Sequence, residues 1–267
     1  MAKRFDQYDT SEPVARRFVR VVREHVDLSG LRIVEPSAGS GSILRELPPG
    51  TRGIDILPRG SGIEKKDFLT FRAGGDRAVA FIGNPPFSGG LASTFFNRAA
   101  PQAQVIAFIL PRSFKKASVR NKLDGDFHLL HEEDVEDDAF VFGGKPVHVP
   151  AVIQIWVRRA VRRDRVVEPK THPDFILLKT REGADFAMQR IGARAGRVHR
   201  ELWRSSEAHY FVHAIRPGVE EIIKGLDFKS VVNNVAGKPS LAKTELVSLY
   251  SEWIERFGYP SSDALVE

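Results

Sequence analysis

The sequence predicts an α/β protein, with a parallel sheet carried by residues 1–165 and a smaller C-terminal α+β region over 166–267. Two observations predict it. Short apolar runs alternate with helix-like stretches through the first part, as in βαβ units built around a parallel sheet. Near the Arg-rich segment "RRAVRRDR" the alternation stops, and "DFILLKT", "ADFAMQRIG", "AGRVHRELW" and "HYFVHAI" look like successive short strands followed by helices.

Taken in order, residues 12–26 place Val14, Phe18, Val21, Val22 and Val26 on one helical stripe. The strand "LRIVEP" runs into "SAGSG" and a helix at "SILREL". Then come "RGIDIL", "AVAFIG", the helix-like "LASTFFNRA", the strand "QVIAFIL", the helix-like "SFKKASVRNKL", the short strand "FHLL" and "AVIQIWVRR". With no helix between them, the last two strands can pair as an antiparallel hairpin at one edge. In the C-terminal region one helix is expected near 217–226. A second begins after Ser240 as N-cap and buries Leu241, Leu246, Tyr250, Trp253, Ile254 and Phe257.

Composition narrows the function classes. The 267 residues carry 42% hydrophobic and 28% charged side chains, as a globular protein does. No long apolar run offers a membrane span, and "MAKRFDQYDT" lacks the apolar core of a secretion signal, so a cytoplasmic, nucleoid-associated location is expected. The absence of cysteine excludes disulfides, thiolate nucleophiles and Cys-based zinc sites. The pairs His128/His131 and His209/His213 have no third ligand at suitable spacing, so no metal is expected. A formal charge of +6 favours an anionic partner. Two basic clusters stand out: Arg112, Lys115, Lys116, Arg120 and Lys122, and Arg158, Arg159, Arg162, Arg163 and Arg165. The acidic "HEEDVEDD" reads as an exposed loop.

In an open parallel sheet, ligands bind beyond the carboxyl ends of the strands, near the point where strand order reverses. The first strand of the sheet ends in Glu35-Pro36-Ser37-Ala38-Gly39-Ser40-Gly41, whose glycines allow close backbone approach. A dinucleotide fingerprint would need a small residue where Leu44 stands, and Glu35 would face a pyrophosphate. A cofactor with a ribose and an ammonium group but no phosphate fits better, and S-adenosylmethionine is such a molecule. Asp55 closes the next strand, where an acidic residue can accept ribose hydroxyls; Asp67 and Phe68 follow, with a carboxylate for an adenine amine and a ring for its face. Asn84 closes the strand after that.

In their order, "FDQYDTSEPVARRF", "EPSAGSG", "GIDIL", "KKDFL" and "GNPPF" resemble the motifs of the gamma-class adenine-N6 DNA methyltransferases over residues 5 to about 158. The resemblance implies a Rossmann-like seven-stranded methyltransferase domain with target recognition in 166–267. It implies that S-adenosylmethionine is bound by Phe5, Thr10, Pro13, Glu35, Pro36, Ser37, Ala38, Gly39, Asp55, Ile56, Asp67, Phe68 and Asn84. Double-stranded DNA is the implied partner of a monomer or homodimer.

The corner Asn84-Pro85-Pro86-Phe87 is stiff, because each proline fixes φ and disfavours helix in the residue before it. An adenine amine is a poor nucleophile. Accepting its two hydrogens on the Asn84 side-chain oxygen and the Pro85 carbonyl favours a tetrahedral nitrogen, and rigid acceptors cost no reorganisation. Phe87 would stack on a base flipped out of the duplex. Phe142 would close the other side, with Phe140 as the alternative, while Arg112, Lys115 and Lys116 contact phosphates. The same chemistry could instead serve adenine in RNA, cytosine N4 or a protein glutamine. A nucleic-acid-binding module with an inactive fold is the non-enzymatic alternative.

Overall fold

A computed structural model describes residues 8–136, 139–235 and 237–259. The chain divides into two compact units, Met1–Val166 and Val167–Glu267.

The first unit opens with β1 (Asp9–Thr10) and α1 (Glu12–His25), which starts with a proline in its first turn and buries Val14, Phe18, Val21 and Val22 as the stripe predicts. Then follow β2 (Arg32–Glu35), β3 (Arg52–Asp55), β4 (Ile63–Lys65), β5 (Val79–Gly83), α2 (Leu91–Ala99), β6 (Ala103–Pro111) and α3 (Ala117–Arg120). The unit ends with β7 (Phe127–Asp134), the hairpin β8 (Phe140–Phe142) and β9 (Lys145–Val147), and β10 (Ala151–Arg158).

Seven of these strands form one sheet in the order β4-β3-β2-β5-β6-β10-β7. The first five run parallel, and β10 lies antiparallel between β6 and β7. This is the Rossmann-like seven-stranded sheet. Strand order reverses between β2 and β5, so their carboxyl ends flank the crevice where such sheets take ligands. Alternate side chains of the central strands feed two cores: Phe81, Phe108 and Trp156 on one face with α2, and Ile82, Ile109 and Ile155 on the other with α1. A separate ladder, β1-β8-β9, joins Thr10 to Phe140.

Three sequence expectations for this unit are corrected. "SILREL" makes only a 3₁₀ turn at Leu44–Glu46, because Pro48 and Pro49 force Leu47 into an extended conformation. The segment from Arg112 breaks at Lys116 (ψ 135°) into a 3₁₀ turn and α3. There the Phe114 carbonyl takes hydrogen bonds from Arg120 Nε (2.9 Å) and Gln154 Nε2 (3.2 Å). "HEEDVEDD" is no exposed loop through its first half: His131–Asp134 complete β7, and Val152 to Ile155 of β10 pair with them.

The second unit is a four-stranded antiparallel sheet, order β11-β14-β12-β13, from β11 (Phe175–Leu178), β12 (Phe186–Gln189), β13 (Val198–His199) and β14 (His209–Ala214). Helices α4 (Val219–Gly225), α5 (Lys229–Val232) and α6 (Lys243–Phe257) share its core with Phe186, Met188, Tyr210 and Val212. Ser240 is not the cap of α6. Its backbone N–H bonds the Val232 carbonyl, and the helix begins after Ala242, whose N–H is taken by the Glu245 carboxylate at 2.7 Å. Leu246 and Tyr250 are fully buried, whereas Phe257 is 61% exposed.

Candidate active site

A cleft of about 280 Å³ opens at the carboxyl ends of β2 to β5. Of the residues singled out in the sequence, Thr10, Glu35, Pro36, Ser37, Ala38 and Gly39 line it. So do Asp55, Ile56, Asp67, Phe68, Asn84 and Pro86. Pro13 sits exposed in the first turn of α1, and Pro85 is buried; neither lines the cleft. Phe5 lies outside the described residues. Tyr8, Asp9, Ser40 and Arg59 also line the cleft and were not singled out. Adjacency to the glycine turn could have found Ser40, whereas no sequence signal marks Arg59.

The glycine-rich turn is held from below. Ala38 N–H bonds the Ile54 carbonyl at 3.0 Å, and Gly39 N–H bonds Asp55 Oδ2 at 2.8 Å. Asp55 Oδ1 takes the Leu57 N–H at 2.7 Å, so this carboxylate ties the turn after β2 to the turn after β3. Gly39 has φ +51°, which favours glycine. Asp67 caps its own turn by accepting the Leu69 N–H at 2.8 Å. Phe68 is 2% exposed and packs against Phe71, Phe81 and Phe95, so its ring belongs mainly to the core.

Among the described residues, two polar side-chain atoms in this cleft are buried without a hydrogen-bond partner: Glu35 Oε2 and Asn84 Oδ1. Such atoms are uncommon and call for a specific explanation. Glu35 is 1% exposed, and burial, followed by repulsion from Asp55, pushes its carboxyl well above the usual range. A Cβ on Gly83 would come to 3.2 Å from both Glu35 Cγ and Pro36 Cδ, so β5 packs closely against the end of β2 here. Asn84 is oriented from two directions. Its Nδ2 donates to Thr10 Oγ1 at 3.2 Å, and its carbonyl accepts from Ser37 Oγ at 2.8 Å. With the amide nitrogen so engaged, the side-chain oxygen is left as the free acceptor.

The aromatic residues divide. Phe87 is half-buried and meets Phe140 edge to face at 5.9 Å. Phe140 is fully buried and cannot stack on a ligand, which removes it as the alternative to Phe142. Phe142, on the same hairpin, is 44% exposed, and its ring lies 5.5 Å from that of Tyr8.

The basic cluster after β6 is not a bare charged face. Arg112 and Lys115 pair with Asp134 at 3.3 and 2.8 Å, and Arg120 pairs with Glu132. Lys116 is half-buried. In the second cluster Arg158 pairs with Asp126 at 2.9 Å, and Arg163 donates to the Phe127 and Leu123 carbonyls at 3.0 Å. Among the described residues no three His, Asp or Glu side chains gather as a metal site, and no helix is long and apolar enough to cross a membrane.

No family model and no curated protein matches the chain. Solved structures do. A Thermoplasma acidophilum protein superposes with TM-score 0.44 at 16% identity, over 60% of this chain and 94% of its own. The 23S rRNA methyltransferase ErmE gives TM-score 0.41 at 19% identity, over 58% and 70%. The methyltransferase subunit of a type I restriction-modification system from Streptococcus thermophilus gives 0.40 at 15%, over 58% of this chain and 46% of that one. Likenesses of this extent assign no activity.

Proposed function

We propose that the protein is an S-adenosylmethionine-dependent methyltransferase that acts on the exocyclic N6 amine of a flipped adenine in DNA. The observation that carries this reading is Asn84 Oδ1, buried and, among the described residues, unpartnered beside a cleft whose described lining holds four carboxylates and a single cation. Asp9, Glu35, Asp55 and Asp67 set against Arg59 suit a positively charged ligand. The glycine turn leaves room for close approach, and the unpartnered Glu35 Oε2 has a use once such a ligand arrives.

When bound, S-adenosylmethionine supplies an electrophilic methyl group. The chain's part is to hold the amine. Thr10 fixes the Asn84 amide so that its oxygen accepts one amine hydrogen, and the Pro85 carbonyl accepts the other. Both acceptors are set before the base arrives, the first by the Thr10 and Ser37 hydrogen bonds and the second by the proline pair. Positioning then supplies much of the acceleration. Phe87 and Phe142 would flank the extruded base, the first braced by Phe140 and the second by Tyr8. Phosphate contacts from Arg112 and Lys115 require exchange of their Asp134 partner for a backbone phosphate. Lys116 is assigned to the same strand, and residues 166–267 to target selection.

Incubation with labelled S-adenosylmethionine and unmethylated duplex DNA, followed by nucleoside analysis, is expected to yield N6-methyladenine. Label in RNA, in protein or in N4-methylcytosine instead would overturn the substrate assignment.

A further inference from the structure

A second cavity, of about 270 Å³, lies at the opposite end of the sheet from the cleft. It opens between the carboxyl ends of α2 and α3 and the Arg-rich segment after β10. That segment leaves β10 beside the start of β6, where Arg158 Nε donates to the Ala103 carbonyl at 3.0 Å. The described lining sets four cations, Lys122, Arg162, Arg163 and Arg165, against one carboxylate, Asp124. The cleft has the reverse balance.

The Arg-rich segment is fixed in place. The Arg159 and Arg163 N–H groups bond the Asp126 and Gly125 carbonyls at 2.9 and 2.8 Å, and Asn121 clasps Val166 through Nδ2 (2.8 Å) and Oδ1 (3.1 Å). Arg162 lies directly over the turn below it: a Cβ on Gly125 would come 2.5 Å from its Nε. The cations so gathered are poorly answered. Arg163 donates to the Phe127, Leu123 and Arg120 carbonyls and has no ion pair among the described residues. Burial, followed by repulsion from Arg120 and Arg162, pulls its guanidinium below the usual range. The carboxylate paired with Arg162, Asp126 at 3.8 Å, already pairs with Arg158 at 2.9 Å. Among the described residues no ion pair reaches Lys122 or Arg165. Asp124 Oδ1 is itself occupied by the Asp126 N–H at 2.9 Å.

We propose that this cavity binds a phosphate-type oxyanion, carried by a free polyphosphate or by a nucleic-acid backbone. Guanidinium forks suit such an ion through paired N–H donors, and Lys122 adds a point charge. Cations held this close repel one another, and an entering anion removes that repulsion. The two amides of the lining are already spent on the protein. Asn97 donates to the Lys122 carbonyl and accepts the Asp124 N–H, both at 2.9 Å, while Asn121 holds Val166. The donors left for a ligand are the charged ones. No ring lines the cavity among the described residues, and Leu123 is its one large apolar side chain. Nothing there would stack on a base, so the ligand is read by its charge. The site stands apart from the cofactor reading, since S-adenosylmethionine carries no phosphate.

The test compares two double variants of the full chain for binding of inorganic pyrophosphate, by calorimetry, and of duplex DNA, by a salt titration. Arg162→Gln/Arg165→Gln empties half of the cationic lining. Arg20→Gln/Arg77→Gln removes the same charge from exposed positions elsewhere. All four side chains are exposed, so thermal melts without ligand should match those of the unaltered protein. If a free polyphosphate is the ligand, the cavity variant is expected to weaken pyrophosphate about tenfold or more, the control less than about twofold, and DNA affinity should not separate the two. If the phosphate belongs to a nucleic-acid backbone, the cavity variant should weaken DNA and lower its salt slope by about one to two, with the control unchanged. Either result supports the site and names its source. Equal losses in the two variants would mean that only diffuse charge matters, and would overturn it. So would a cavity variant that binds both pyrophosphate and DNA as the unaltered protein does, or an unaltered protein that binds neither.

Discussion

Two charged regions of the first unit are built on opposite plans. Along β7, Glu132, Glu133 and Asp134 each face a cation: Arg120, Arg17 at 3.1 Å, and Arg112 with Lys115. In the cleft, Glu35 Oε2 and Asn84 Oδ1 have no hydrogen-bond partner and no ion pair among the described residues, whereas Glu133 Oε1 and Arg112 Nε on the β7 side, also without a hydrogen bond, lie 3.1 and 3.3 Å from an opposite charge. Charge density alone does not tell the two apart. What separates them is whether the protein answers its own polar groups, because leaving a buried one unanswered costs free energy that only a ligand can return. The β7 strip is therefore assigned to holding the edge of the sheet, and the cleft to binding.

The sharpest test of this contrast is Asn84→Ala. It is expected to lower single-turnover methyl transfer about a hundred- to a thousandfold, the scale for loss of one preorganised polar group. The stability cost should stay within about 1 kcal/mol, since Oδ1 has no partner among the described residues and only the Nδ2 bond to Thr10 is lost. On the β7 side the pattern should invert. Arg120→Ala removes the guanidinium from both Glu132 and the Phe114 carbonyl and leaves Gln154 Nε2 as the donor they share. Urea unfolding should show a loss of about 1–3 kcal/mol, with methyl transfer per folded molecule unchanged.

Glu35→Gln probes the cleft from the stability side. The raised carboxyl binds a proton more tightly in the folded chain than in the unfolded one. The ligand-free protein should therefore lose stability as pH rises from the ordinary carboxylate range through the folded value. The glutamine variant should be the more stable at pH 8, with the difference vanishing at acid pH, as thermal melts at several pH values will show. It should also bind S-adenosylmethionine about tenfold more weakly, having lost a charge. A flat melting difference across pH would count against the contrast drawn here. The smallest effect is expected of Lys115→Ala. Its Asp134 partner is half-exposed and keeps Arg112, so the cost should stay below about 1 kcal/mol.

Much of the sheet was legible because its strands are buried on both faces and read as apolar runs, and because glycine, proline and acidic residues punctuate their ends. Glu35, Asp55 and Asn84 come to one cleft simply because each closes a neighbouring parallel strand. Pairings across long stretches of chain were not legible. The ion-paired Asp9 and Arg59 lie far apart in sequence, and each alone looks like an ordinary surface charge. The runs after Arg112 and after His131 likewise looked like separate solvated faces, and only the antiparallel placement of β10 and β7 beside β6 lets one neutralise the other. Helix lengths were overestimated where prolines or side-chain donors compete for backbone groups, as at Leu47 and Phe114.

The ladder between Thr10 and Phe140 ties the assembly of the cleft to the order of synthesis. A ribosome releases the glycine turn and the Asn-Pro-Pro corner well before it releases the hairpin that anchors β1. A nascent chain halted ahead of residue 140 would already own both loops, yet its Asn84 amide could still swivel, because the strand that carries Thr10 has nothing to lie against. The orientation of Asn84 thus arrives as a late step of biosynthesis, after the segments of the parallel strands have already been made.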